Sequence, residues 1–556
     1  MGNAERNLLW CHALLDGLAA AGVDQVVLSP GARSTPLALA ALRHPGLTTR
    51  VVLDERSAAF LALGLAKGDG RPAVVIATSG SAIANWHPAV IEADKGRVPL
   101  ILLSADRPPE LQDCGANQTI DQVKMFGGAL RAFHALPPAE DDATWLRSLA
   151  VRIVSEATGP VHVNVPLREP LVPGSAGILP APAAKRAGCP RSRQILPSGS
   201  DLAQLTQLLT NRPGLIVCGI EDLSDSAAAI TGLAYTVGAP VLADPLSGLR
   251  TEDGVMTVIA HYDVLLRHPA APRPEWILRL GGEPVSKFLG QFLARHSDVP
   301  QVVVSGHDRW SDPHHTARTV VTADPGLLCA ALAERVDLTD PGWLAHWQVM
   351  DQLATARLDR LPEEGRLIRD LAQDLPSGAT LFTGNSLAVR QFDWFMGLAR
   401  RGIRIVGNRG ASGIDGTVST YLGLAATRRH SVAVMGDLTF LHDLNGLHAA
   451  RGIDGVIVVI NNGGGGIFDH LPQFSLDEYT VGWFTPHAVD IGAAARLFGL
   501  RHVRADDGEA AAGLVLEALA RPGLDIVELT VDRAASLAAH RAYFQAVEEL
   551  EVLSSV

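Results

Sequence analysis

The chain has 556 residues, a formal net charge of -12, 47% hydrophobic residues and only 5% aromatics. That length accommodates about three domains of ordinary size, each able to bury its own core, and the abundance of Ala, Gly, Val and Leu suits packed α/β layers. The acidic balance excludes a nucleic-acid binder that works by bulk charge, and no apolar run approaches the roughly 20 residues of a membrane helix.

The amino terminus, MGNAERNLLWCHALLDGLAAAG, has an early acid and helical spacing in place of a basic and then continuously apolar secretion signal. A cytoplasmic location is expected. Cys11, Cys114, Cys189, Cys218 and Cys329 are scattered, without zinc-like spacing, and fit reduced thiols.

Residues 1–180 alternate helical patterns with apolar strands at 25–28, 50–53, 73–77, 100–103 and 161–165, which predicts a parallel sheet covered on both faces. Ligands bind at strand ends in such sheets, and polar clusters stand at nearly all of them. Ser29-Pro-Gly-Ala-Arg33 follows one strand and opens a helix. Free amides and a guanidinium there would take an anion, although a capped turn with a solvated arginine accounts for the pattern equally well. Asp54-Glu55 lies between apolar runs; burial of one carboxylate would raise its pKa, and a plain helix-start acid is the alternative. Thr78-Ser79-Gly80 and Ser104-Ala-Asp106-Arg107 close two more strands, and Asn117 and Gln118 follow in a loop. Together they place several hydrogen-bonding groups on one edge.

From 166 to 200 the chain is Pro- and Gly-rich, and 181–200 reads as a linker. Residues 201–340 form a second α/β unit, with strands expected at 214–218, 240–242, 276–280, 301–304 and 319–321. It has no GxGxxG or Walker pattern. Lys287, in GGEPVSKF after a strand end, is its one candidate site residue.

Residues 345–556 form the third unit. Strand 380–383 leads to Gly384-Asn385-Ser386 and a helix carrying Arg390. Strand 403–406 ends in Gly407-Asn408-Arg409-Gly-Ala-Ser412-Gly413-Ile414-Asp415-Gly416, where glycine-rich backbone can approach a diphosphate. Then comes SVAVMGDLTFLHDLNGLHAARGIDGVIVVINNGGGGIF, read as strand 431–435, helix 438–451 and strand 456–460. A right-handed crossover makes the two strands parallel, so Asp437 and Asn462 end on the same edge. A carboxylate, an amide oxygen and a carbonyl of the following glycine run are a hard oxygen set suited to Mg²⁺ once phosphate oxygens complete the shell. Helix capping and a simple loop are the alternative. A closing strand at 525–531 and a last helix at 535–550 complete the unit.

The Gly436-Asp437... Asn461-Asn462 pattern resembles the motif of thiamine diphosphate enzymes. The resemblance implies three doubly wound parallel-sheet domains: pyrimidine-binding (1–180), middle (201–340) and diphosphate-binding (345–556). It implies Mg²⁺ (or Mn²⁺) held by Asp437, Asn462 and the carbonyl of Gly464, with Leu438 standing where the motif usually has Gly. Glu55 matches the glutamate that contacts the cofactor's aminopyrimidine and sets its tautomer. Ser79, Gly80, Ser412, Gly413, Ile414, Gly436, Ile467 and Phe468 match cofactor positions, and Leu471 joins the last two in an apolar wall.

Within that family, SPGARSTPL, LDERSAAFLALGLAKG, SADRPPELQDCGANQTI, GNSLAVR, NRGASGIDG and NNGGGGIF are similar to a branch of menaquinone biosynthesis. That branch decarboxylates 2-oxoglutarate and adds the resulting four-carbon unit to isochorismate. Arg33, Arg107, Asn117, Gln118, Lys287, Ser386, Arg390 and Arg409 would then hold the acids' carboxylates and hydroxyl. Ala32 stands where the branch commonly has Ser. The resemblance further implies a homodimer or homotetramer with active sites between subunits. An acetohydroxyacid-synthase-like carboligase and a non-catalytic regulatory homologue are the rival expectations.

Overall fold

The computed structural model describes residues 1–174, 194–307, 309–337, 341–358 and 361–550, so most of the stretch expected as a linker lies outside the described residues. Three six-stranded sheets organise the chain, and every strand pair in them is parallel. The first comprises β1 (Gln25–Leu28), β2 (Thr48–Val51), β3 (Ala73–Ala77), β4 (Leu100–Asp106), β5 (Ala132–Ala135) and β6 (Pro160–Pro166), in spatial order β2-β1-β3-β4-β6-β5. The second comprises β7 (Gly214–Cys218), β8 (Val241–Ala243), β9 (Val258–Ile259), β10 (Trp276–Leu280), β11 (Gln301–Ser305) and β12 (Ala317–Thr322), ordered β12-β11-β10-β7-β8-β9. The third comprises β13 (Thr380–Thr383), β14 (Arg404–Gly407), β15 (Ser431–Gly436), β16 (Gly455–Asn461), β17 (Arg501–Ala505) and β18 (Leu524–Thr530), ordered β14-β13-β15-β16-β18-β17. The first and third sheets therefore repeat one winding, and the middle sheet follows another.

Three strands escape the sequence pattern: β5, β9 and β17. Each is the last strand at one edge of its sheet. An edge strand is covered less completely, so it lacks the continuous apolar run that marks β3, β6 or β16. The strand expected at 50–53 is shifted to Thr48–Val51, which leaves Leu53 outside the sheet. The middle unit's first helix, Gly199–Leu209, begins inside the expected linker, with Ser198 accepting the Asp201 N–H as its cap.

The outer sheets share one hydrophobic core. It runs from Phe60, Trp86 and Leu102 through Tyr421 and Leu422 to Met435 and Ile457. Helices Glu55–Asp69 and Thr417–Ala425 cross at its centre. A Cβ on Gly64 would lie 1.9 Å from the Thr420 carbonyl oxygen, and one on Gly423 would lie 2.1 Å from that of Leu61. Only glycine permits such backbone contact. The middle unit is tied to the third by a buried pair, with Arg250 NH1 donating to Asp393 Oδ1 at 2.8 Å and Arg250 NH2 to the Asp393 carbonyl at 2.8 Å.

The single helix expected over 438–451 is broken. It is an α-helix only over Asp437–His442, and a 3₁₀ segment follows at Leu444–Ala450. The break falls at Asp443, whose buried carboxylate accepts the Ser419 N–H at 2.7 Å across the helix interface. That bond competes with continuation of the helix. Burial lifts the Asp443 pKa from 3.8 to about 6, against opposing pulls from Ser419 and Arg56. A raised folded-state value means protonation favours the folded form. The contribution is present below the unfolded value near pH 4 and lost as pH rises through about 6. Relative to Asp443→Asn, the natural chain should lose up to about 3 kcal/mol of stability between about pH 4 and 7. Urea unfolding across that range tests this, and parallel stability curves for the two proteins would refute it.

Candidate active site

The ends of β15 and β16 meet as expected. Gly436 pairs with Ile460, so Asp437 and the two asparagines leave the sheet side by side. Asp437 is buried; its Oδ1 accepts the Leu438 N–H at 2.6 Å and its Oδ2 the Gly464 N–H at 3.0 Å. Asn462 Oδ1 lies 3.3 Å from the same Gly464 nitrogen. One amide thus gathers both side chains. Gly464 sits at φ 156°, and a Cβ there would lie 2.4 Å from the Phe484 carbonyl oxygen. His487, which the sequence does not signal, places Nε2 3.2 Å from Asp437 Oδ2.

Burial raises the Asp437 pKa above its ordinary value, only partly countered by the Leu438 N–H and by His487. A divalent cation would remove that penalty. Space for a ligand lies alongside: a Cβ on Gly436 would meet nothing within 4 Å, although its φ of -75° suits any residue. A buried carboxylate, a neighbouring amide oxygen and an open cradle fit a metal-bound diphosphate. Ile467, Phe468 and Leu471 lie half-buried on and just after the 3₁₀ segment Gly466–His470, as an apolar wall requires.

The loop between β14 and helix Thr417–Ala425 carries Arg409, Ser412, Gly413 and Ile414. Asn385 Nδ2 donates to the carbonyls of Asn408 at 2.7 Å and Gly413 at 2.6 Å, while Arg409 NH1 donates to Asn385 Oδ1 at 3.0 Å. One correction concerns the expected approach of a diphosphate to this glycine-rich backbone. The amides of Gly410, Ala411 and Ser412 already point at the carboxylate of Glu92. An anionic ligand cannot take those three donors.

Arg390 and Arg409 lie close together. Burial lowers the pKa of Arg390, and the charge of Arg409 lowers it further; Arg409 is itself lowered by burial. Arg390 NH1 donates to the Ser386 carbonyl at 2.5 Å, and Arg409 Nε is a buried donor without a partner among the described residues. Ser386 holds a left-handed φ of 65° at the head of the Arg390 helix. Lys287 begins helix Lys287–Arg295 and is exposed.

On the first sheet, Arg107 NH1 donates to Ser79 Oγ, and Ser79 Oγ donates to the Gln118 carbonyl at 3.0 Å. Gln118 Nε2 returns a bond to the Ser79 carbonyl at 3.0 Å. Behind them runs a buried polar chain. Gln122 accepts the Gly80 N–H and donates to Asn164, and Asn164 donates to Asp106, which accepts the Arg107 N–H. Gln122 and Asn164 carry no motif and are visible only in the fold. Arg33 is buried and lowers the pKa of Arg107, which burial lowers first. Its guanidinium donates to the Leu167 carbonyl at 2.9 Å and to Glu169 at 2.8 Å, and its Nε has no partner among the described residues. Asn117 is exposed.

Asp54 caps helix Glu55–Asp69 by accepting the Ser57 N–H at 3.0 Å, and Glu55 is the first helical residue, half-buried. The capping role thus falls to Asp54 and not to Glu55. The helix start faces the third unit of its own chain, where Arg56 NH2 donates to the His442 carbonyl at 3.2 Å.

The chain matches three sequence families: "Thiamine pyrophosphate enzyme, N-terminal TPP binding domain" over residues 11–125, "Middle domain of thiamine pyrophosphate" over 193–383, and "Thiamine pyrophosphate enzyme, C-terminal TPP binding domain" over 394–529. A solved chain described as a thiamin diphosphate-dependent enzyme from Mycobacterium smegmatis superposes with a TM-score of 0.70 at 18% identity, covering 94% of this chain and 99% of that one. The protein is a thiamine diphosphate-dependent enzyme with the three-domain architecture. The 2-succinyl-5-enolpyruvyl-6-hydroxy-3-cyclohexene-1-carboxylate synthases of Geobacillus kaustophilus and Chloroflexus aurantiacus are each 42% identical to it, covering 97% of this chain and 97% and 96% of theirs. That of Dechloromonas aromatica is 41% identical over 94% of this chain and 98% of its own. The chain belongs to this synthase family.

Gly436→Val should fold normally, with stability within about 0.5 kcal/mol of the natural chain, because its side chain enters open space. It should no longer bind thiamine diphosphate in calorimetry. Undiminished binding would show that the cradle lies elsewhere.

Proposed function

We propose that the protein decarboxylates 2-oxoglutarate and adds the four-carbon unit in conjugate fashion to isochorismate, giving 2-succinyl-5-enolpyruvyl-6-hydroxy-3-cyclohexene-1-carboxylate for menaquinone biosynthesis in the cytoplasm. Thiamine diphosphate, when bound, supplies the nucleophilic carbon and the electron sink that this chemistry needs. The observation that carries the substrate reading is the pairing of Arg390 and Arg409. Two desolvated guanidiniums, one with an orphaned Nε, lie in a protein that is acidic overall. Such a pair is stabilised by a carboxylate, and guanidinium forks match carboxylates in geometry.

Asp437, Asn462 and the Gly464 carbonyl would hold Mg²⁺ or Mn²⁺, whose charge would favour the diphosphate there. Gly436, Leu438, Ser412, Gly413 and Ile414 line the rest of the cofactor's path, with Ile467 and Phe468 as its apolar side. Glu55 would hold and return a proton at the aminopyrimidine nitrogen, with Ser79 and Gly80 as the neighbouring polar groups. Arg33 and Arg107 form a second cationic patch beside Asn117 and Gln118. With Lys287, Ser386, Arg390 and Arg409, the site then has enough donors for one dicarboxylate and for the carboxylates and hydroxyl of a second acid.

The catalytic glutamate and the metal-binding edge come from separate domains. A homodimer or homotetramer would bring Glu55 of one subunit to the diphosphate edge of another. Leu53, beside Glu55, is 70% exposed, and Val481, on the segment after the apolar wall, is 84% exposed. Apolar residues of that exposure next to the site suit burial by a second subunit.

Purified protein with Mg²⁺ and thiamine diphosphate should release CO2 from 2-oxoglutarate in strong dependence on isochorismate and should not act on pyruvate. Pyruvate turnover would overturn the substrate assignment. Glu55→Gln should lower turnover by about 10²-fold or more with the folded structure intact. Asp437→Ala should abolish metal-dependent thiamine diphosphate binding, and tight binding in that variant would remove the metal site from Asp437.

A further inference from the structure

We infer that Glu92 is a positioning residue that sets the cofactor loop of the third domain from the first domain of the same chain. This deepens the proposed function and rests on that reading of Arg409, Ser412, Gly413 and Ile414. Glu92 lies on helix His87–Gly96, which carries no cofactor motif, and is only 3% exposed. Its Oε1 accepts the Gly410 N–H at 2.9 Å; its Oε2 accepts those of Ala411 at 2.6 Å and Ser412 at 3.3 Å. Three successive backbone amides converge on one carboxylate, a geometry that elsewhere in proteins captures free anions. Here the anion is built in.

Two further features make the arrangement a clamp. Lys67, from helix Glu55–Asp69, donates to the Gly407 carbonyl at 2.7 Å and stands 3.8 Å from Glu92 Oε1, so the buried carboxylate has a counter-ion that itself grips the start of the loop. Helix and loop are also in backbone contact: a Cβ on Gly410 would lie 2.5 Å from the Gly96 nitrogen and 2.6 Å from the Glu92 carbonyl oxygen. Immediately beyond the clamped amides the chain takes a left-handed φ of 66° at Ser412. A non-glycine residue holds that conformation only where its surroundings enforce it. The clamp fixes where Ser412, Gly413 and Ile414 stand and, on its other side, where Arg409 reaches Asn385.

Glu92→Gln is the informative variant. It keeps the shape and one acceptor oxygen, removes the charge and turns an NH2 group towards amide donors. Hydrogen exchange of the cofactor-free protein should show the amides of Gly410, Ala411 and Ser412 losing protection by about tenfold or more while amides of β15 and β16 are unchanged, since bonds to a charged acceptor are the strong ones. Calorimetry with thiamine diphosphate and Mg²⁺ should show Kd rising by about tenfold or more. Lys67→Met should shift both readings in the same direction by a smaller factor, and it serves in place of Glu92→Gln if that variant does not fold. Unchanged protection of the three amides, or a lowered thermal midpoint with unchanged cofactor affinity, would overturn the inference. Failure of the natural chain to bind thiamine diphosphate would instead sink the functional reading, and the exchange experiment would still decide whether Glu92 holds the loop.

Discussion

The glycine-on-glycine crossing of helices Glu55–Asp69 and Thr417–Ala425 is the constraint on which the site depends. Because Gly64 and Gly423 admit backbone contact, the two helices approach closely enough for Phe60, Leu61, Tyr421 and Leu422 to join one core that serves both outer sheets. Everything at either end of the crossing is then fixed. One end of the first helix presents Asp54 and Glu55 beside His442 and Asn445; further along, Lys67 reaches Gly407. A side chain at either glycine would drive the helices apart, and the loop carrying Arg409 to Ile414 would lose its register against the first domain.

Desolvated charge is spread around this frame, part of it paired within the chain. Arg250 and Asp393 pair in full burial between the middle and third domains, and Lys67 stands against Glu92. Burial raises Asp393 to about 8 and lowers Lys67 even so, and the Asp437 carboxylate, with its pKa raised by burial, and the guanidiniums of Arg390 and Arg409, with theirs lowered, likewise bear a desolvation penalty that protein partners only partly offset. On the proposed function, a cation at Asp437 and carboxylates at the two arginines would relieve that penalty.

The parallel-sheet plan was legible because strands buried on both faces write themselves as continuous apolar runs, as in residues 73–77 and 456–460. The edge strands β5, β9 and β17 are short or polar and leave no such mark. The meeting of Asp437 and Asn462 was legible for a second reason: consecutive strands joined by a crossover end together at one edge of the sheet. What could not be read were residues whose work depends on an element far away in sequence. Glu92 looks like an ordinary helix acid, and its three partners lie more than 300 residues later. Gln122 and Asn164 act only through a buried chain assembled from a loop and β6. His487 meets Asp437 from a segment without periodicity.

Strain separates the two kinds of legibility. Ser386, Ser412 and Gln118 all hold left-handed backbone without being glycine, at φ 65°, 66° and 53°, and all three lie among the proposed ligand contacts. A glycine would relax each turn, but it would surrender the side chain and let the backbone wander. Keeping a side chain there costs about 1–3 kcal/mol per residue, and the surrounding bonds must hold it. For Ser412 the neighbouring bonds are those of Glu92 and Asn385; for Gln118 they are those of Ser79. Local sequence preference therefore fails where the fold overrules it, as it does at these three turns.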